Sequence, residues 1–144
     1  MPKDLSEHAV APLRCTGVAA EPGAVVHPRS QFQAWLVQNF IVDAERLSSI
    51  TLAVNEALAN SVEHAYVTYD RPGSVDVRAD HDEADSVVVV EVADHGRWRE
   101  PAPDPLHLRG RGIPLIKALS DKAVIEKSNR GTKVTMSWNG LSRR

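Results

Sequence analysis

The stretch NEALANSVEHAY, Asn55 to Tyr66, places Glu56, Asn60 and His64 at four-residue intervals. On a helix that spacing stacks side chains one turn apart along one flank. Each type has its own chemical use. A carboxylate can orient a nucleophile and accept its proton. An amide oxygen is a hard donor suited to Mg2+, which keeps most of its waters and takes few protein ligands beside phosphates. His64 lies nearer the apolar stripe of the same helix and is expected to pack rather than to react. An isolated Glu–Asn pair usually belongs to a solvated face, so Glu56 and Asn60 gain meaning only from what accompanies them.

Three further groupings accompany them. Asp94 closes an apolar run in VADHGRW and is followed by Gly96. A carboxylate backed by an apolar strand can accept a strong hydrogen bond from a ligand's amino group. A glycine beside it lets a flat ring approach the backbone, although Asp and Gly also favour plain turns. Gly110 and Gly112 stand in RGRGIPLIKAL, beside Arg109 and Arg111. Glycines entering a helix N-terminus leave free N–H groups that cradle phosphate. Their spacing fits neither a Walker A loop nor a Rossmann fingerprint. Gly131-Thr132 reads as a hairpin turn, and Thr132 matters only through its place in the series.

The elements that must position these groups follow from hydrophobic period and breakers. Residues 1–11 are polar with prolines and read as a flexible leader, leaving 12–144 as one domain. LRCTGVAA is a first strand, and EPGAVVHPRS breaks it. A helix is expected from Ser30, with Phe32, Trp35, Leu36 and Phe40 on one face. A second helix runs from about Asp43 to Tyr66, its core stripe formed by Ile50, Ala53, Val54, Ala57, Leu58, Ser61, Val62 and Ala65. SVDVRAD and SVVVVEVAD are strands joined as a hairpin by HDEAD. The second is a continuous β-branched run, so cover on both faces is expected near its centre. HGRWREPAPDPLHLRGRG, residues 95–112, holds three prolines, three glycines and four arginines without period, the mark of a functional loop, with residues 97–109 at its centre. GIPLIKALSD is a short helix with Pro114 in its first turn. KAVIEKSN and TKVTMSW are closing strands joined at Arg130-Gly131. This order predicts an α/β (α+β) two-layer sandwich: a mixed, mostly antiparallel sheet with helices on one face.

Composition narrows the function classes. A chain of 144 residues with net charge −2 has no basic surface excess, which argues against direct nucleic-acid binding. Its single cysteine, Cys15, can neither staple the chain nor build a thiolate metal site. It is expected as a small buried residue in a reducing compartment. No apolar run reaches membrane-spanning length and the N-terminus lacks a signal-peptide core, so a cytoplasmic protein without membrane contact is expected.

The order Glu-x-x-x-Asn, Asp-x-Gly, proline-rich loop, Gly-x-Gly and Gly-Thr resembles the Bergerat-fold (GHKL) ATPases, the group of gyrase, Hsp90, histidine kinases and MutL. The likeness is closest to the anti-sigma-factor serine/threonine kinase branch. NEALANSVEHAY resembles its N box, DHGRW its first glycine box, GRGIPLIKALSD its second and GTKVTM its closing strand, over roughly residues 10–138. The first box lacks the second glycine of gyrase-type members.

That resemblance implies ATP and Mg2+ as ligands. Asn60 would hold the Mg2+ and Glu56 would act as general base or orienter. Asp94 would pair with the adenine amino group, with Gly96 beside the ring and Thr132 on the adenine side. Gly110 and Gly112 would lie under the phosphates, residues 97–109 would form a lid, and either Arg109 or Arg111 would meet the γ-phosphate. The implied activity is phosphorylation of a STAS-domain anti-anti-sigma factor, together with sequestration of a sigma factor; a homodimer is among the states the resemblance admits. A catalytically silent nucleotide-binding, sigma-sequestering module would carry the same motifs. A histidine kinase ATP-binding domain is disfavoured, because residues 1–29 are too short and proline-broken for a phospho-accepting helix. An ATP hydrolase is disfavoured by the lack of a transducer domain.

Overall fold

The computed structural model describes residues 9–66, 73–95, 112–128 and 130–144, with the backbone alone for 64–66. A five-stranded sheet has the order β1 (Leu13–Ala19), β3 (Ser74–Asp82), β4 (Val87–Asp94), β6 (Gly131–Asn139) and β5 (Lys122–Ser128). Every pairing in it is antiparallel, so no strand among the described residues makes the sheet mixed. Helices α1 (Val26–Asn39), α2 (Ala44–Tyr66) and α3 (Gly112–Leu119) complete the layer above it, and β2 (Phe40–Ile41) pairs with β7 (Ser142–Arg143) as a small separate ribbon.

Strand alternation decides which side groups face the helices. In β4, Val88, Val90, Val92 and Asp94 are buried, while the residues between them are half-exposed. Cover on both faces, expected from the Val run, is therefore not found among the described residues. The register carries the pattern across: Val75 opposes Asp94, Val92 opposes Val134, and Ala93 opposes Lys133. The helix-facing side is apolar and the outer side is charged, as a one-faced antiparallel sheet requires.

Helix α2 supplies the other half of the core. Its residues Ile50, Ala53, Val54, Ala57 and Leu58 are fully buried. Burial of each larger side chain contributes about 1.5–3 kcal/mol. Asp43 caps it, its Oδ1 accepting the Arg46 N–H at 2.7 Å. Helix α1 begins at Val26, four residues before the expected Ser30. Pro28 lies within its first turn, where no intrahelical N–H bond is required, and so does not break it. Phe40 is not helical: the chain turns extended there, at φ −131° and ψ 152°. It is still fully buried, edge-on to Trp35 with ring centroids 5.3 Å apart.

The last residues of the expected leader engage the core. Val10 packs against it and the Ala11 carbonyl accepts the Trp35 indole N–H at 2.8 Å. Cys15 is buried, its thiol donating to Gln31 Oε1 at 2.9 Å, and burial pushes its pKa up. No helix among the described residues is long and apolar enough to cross a membrane.

Candidate functional site

The buried stripe of α2 fixes the helix's rotation, and that rotation leaves Glu56 and Asn60 half-buried on its flank, one turn apart. The N-terminus of α3 is set down beside the first of them. A Cβ added to Gly112 would stand 3.4 Å from Glu56 Oε2 and 3.9 Å from the Glu56 carbonyl oxygen. The absent side chain thus brings the free N–H end of α3 close to the Glu56 carboxylate and backbone carbonyl, one turn before Asn60. Two predicted groups that are far apart in sequence, the Glu–Asn pair and the second glycine of the Gly-x-Gly, share one locale.

A second locale forms where β4 ends against the start of β6. Asp94 is 4% exposed and its Oδ1 accepts the Thr132 N–H at 3.1 Å. Gly131 makes this possible. It has φ +143°, and a Cβ there would fall 1.9 Å from the Asp94 carbonyl oxygen and 3.1 Å from Asp94 Oδ1. Thr132 is 2% exposed, and its Oγ1 has no hydrogen-bond partner among the described residues. A buried hydroxyl left so costs about 1–3 kcal/mol unless a ligand or water completes it. Ser61 Oγ, in the residue after Asn60, is likewise buried and without a partner among the described residues.

Asp94 and Thr132 point to the helix-facing side of the sheet, the side on which Glu56, Asn60 and Gly112 stand. An open hollow of about 270 Å³ at the same strand ends has Asp94, Gly131 and Thr132 in its lining. Ala93, His95, Glu126 and Lys133 of the outer face line it as well. Gly96, Arg109, Gly110, Arg111 and the whole 97–109 loop lie outside the described residues, as does the side chain of His64.

Outer-face residues reach the same strand end. His95 Nε2 lies 2.7 Å from Asp76 Oδ2, and Asp76 Oδ1 accepts the Gly17 N–H at 2.7 Å. Partial burial would raise the Asp76 carboxyl's pKa. The Gly17 N–H and the His95 ring outweigh it and hold the group below the usual carboxylate value. Neither residue was singled out from the sequence, because strand alternation gives an outward Asp no special mark.

The donor types fit a nucleotide. An inward carboxylate beside an unpartnered hydroxyl suits a base with an exocyclic amino group, and a glycine-entered helix N-terminus suits phosphate. Among the described residues no group of three His, Cys, Asp or Glu side chains could hold a metal by itself. Asn60 offers one neutral oxygen, which fits a Mg2+ completed by phosphate oxygens and water.

A family model for the histidine kinase-like ATPase domain matches residues 18–138. The chain belongs to the histidine kinase-like ATPase family. This ATPase domain is therefore an ATP-binding fold of the kinase-like type. Among solved structures it is similar to the RsbU and RsbW domains of Rv1364c from Mycobacterium tuberculosis, with TM-score 0.70 and 27% identity over 93% of this chain and 33% of that one. It is also similar to the histidine kinase domain of the blue-light activated histidine kinase EL346 from Erythrobacter litoralis. There the TM-score is 0.55 and the identity 25%, over 68% of this chain and 46% of that one. The ATPase domain thus spans a third and just under half of the length of these two chains. No curated protein matches it.

Proposed function

We propose that this ATPase domain is an anti-sigma-factor serine/threonine kinase of the cytoplasm. It binds Mg–ATP, phosphorylates a hydroxyl of a STAS-domain anti-anti-sigma factor, and sequesters a sigma factor. The observation that carries this reading is the likeness to the structure holding an RsbW domain, over 93% of this chain, against 68% for the histidine kinase.

Each side chain has a task in that reaction. Asp94 accepts a hydrogen bond from the adenine amino group, and Thr132 Oγ1 completes its own hydrogen bonding on the same side of the base. The α3 N-terminus at Gly112 offers N–H groups to phosphate oxygens. Asn60 would hold the Mg2+, which would supply charge neutralisation to the phosphates. Glu56 orients the acceptor hydroxyl and takes its proton as its oxygen bonds to the γ-phosphorus and the bond to the bridging oxygen breaks, releasing ADP. Such catalysis is mostly positioning and electrostatics, so few groups suffice.

The test is incubation with γ-labelled ATP and a STAS-domain protein, followed by acid treatment of the labelled acceptor. Acid-stable label on the STAS protein is the expected result. Acid-labile label would assign a histidine kinase activity instead. ATP binding without transfer to any acceptor would assign a silent nucleotide-binding module.

A further inference from the structure

The end of β4 is held from two sides. From the β6 side, the Thr132 N–H binds Asp94 Oδ1 at 3.1 Å and Gly131 sits against the Asp94 backbone. From the other side, the His95 N–H donates to the Ser74 carbonyl at 3.0 Å, and the His95 ring reaches Asp76 on β3. The chain of contacts then passes to β1. Gly17 has φ +68°, within the irregularity of register between Cys15 and Val18. Only glycine adopts that conformation without strain, and it turns the Gly17 N–H onto Asp76 Oδ1. The carboxylate is thereby fixed by one oxygen and holds the His95 ring by the other.

We propose that Asp76 and His95 are a positioning pair that aims the Asp94 carboxylate and so sharpens selection of adenine over guanine. The inference rests on the reading of Asp94 as the acceptor for the adenine amino group. Neither residue touches the nucleotide: both side chains lie on the outer face, while Asp94 points inward. Their action is through the backbone of adjacent residues. An ionised Asp76 Oδ2 can only accept, which assigns the proton to Nε2 and fixes the tautomer. A carboxylate that accepts from a 6-amino group repels a 6-oxo group, and the contrast depends on how tightly Asp94 is aimed.

The experiment measures dissociation constants for ATP and GTP on the whole chain and reads their ratio. The ratio is insensitive to the fraction of protein folded, so a merely structural role would leave it unchanged. Asp76→Asn keeps an oxygen for the Gly17 N–H but removes the charge and the tautomer lock. His95→Ala removes the ring, and His95→Gln restores an N–H donor. We expect Asp76→Asn and His95→Ala each to lower the GTP:ATP ratio roughly three- to five-fold, the scale of one exposed charge-assisted contact. His95→Gln should recover most of it. Asp94→Asn is the reference and should collapse the ratio by about tenfold or more. Unchanged ratios in Asp76→Asn and His95→Ala, beside a collapsed Asp94→Asn, would overturn the pairing alone. An unchanged ratio in Asp94→Asn, or a wild type that binds no ATP, would overturn the reading of the site and the inference with it.

Discussion

Gly131→Ala is the sharpest structural perturbation available at the proposed adenine side. The added Cβ would lie 1.9 Å from the Asp94 carbonyl oxygen, where separations under 3.0 Å essentially never occur and ordinary contacts lie at 3.4–4 Å. Relief needs a separation of about 1 Å between the end of β4 and the start of β6. The Thr132 N–H bond to Asp94 Oδ1 spans the same gap and would be lost. A hydrogen bond to a charged acceptor is worth about 1.5–3 kcal/mol. The backbone at φ +143° adds about 1–3 kcal/mol for a residue with a side chain. We therefore expect a loss of roughly 3–5 kcal/mol in urea unfolding. The melting temperature should fall by about 2–4 °C per kcal/mol. Asp94 would move with its strand, so ATP affinity by calorimetry should drop about tenfold or more. A variant whose stability stays within about 1 kcal/mol of wild type and whose ATP affinity is unchanged would refute the close-approach argument.

Three further outcomes follow. Glu56→Gln should keep ATP binding and reduce phosphoryl transfer about 100-fold or more, read by label transfer at saturating ATP. Gly112→Ala should fold normally, since its Cβ would sit 3.4 Å from Glu56 Oε2, while ATP affinity drops roughly tenfold as the methyl occupies space beside the phosphate donors. His81 is packed edge-on to Phe40 with centroids 4.9 Å apart, and burial, partly offset by Glu83, holds its pKa below the usual 6.5. It stays neutral in the fold while the unfolded chain takes up the proton, so its contribution is complete above about pH 6.5 and is lost as pH falls through the lower folded value. Unfolding curves from about pH 7 to pH 5 should show that loss, and His81→Leu should flatten it.

The legible parts of the chain were those with long, regular period. The stripe from Ile50 to Val62 announced α2 because burial of one helical face repeats every three to four residues. The alternation in SVDVRAD marks β3 in the same way. Glu56, Asn60, Asp94 and Thr132 become candidates only as an ordered series. Each alone is what a solvated helix or a turn would carry.

Local pattern determined which segments are helix or strand and which residue types were available for chemistry, because backbone preference and side-chain spacing are properties of neighbours in sequence. What stands beside what was decided elsewhere. Pro28, inside the breaking stretch EPGAVVHPRS, stands in the first turn of α1, a place that needs no N–H. Phe40 looked like the last apolar position of a helix until pairing with β7 made it extended. Gly131 looked like a plain hairpin glycine, and its real constraint is the Asp94 backbone 37 residues away. The meeting of Gly112 with Glu56 and the strut from Gly17 through Asp76 to His95 leave no trace in any short window. They arise when helices close over the inner face of the sheet and strands distant in sequence become neighbours, and only that packing sets the distances on which the chemistry depends.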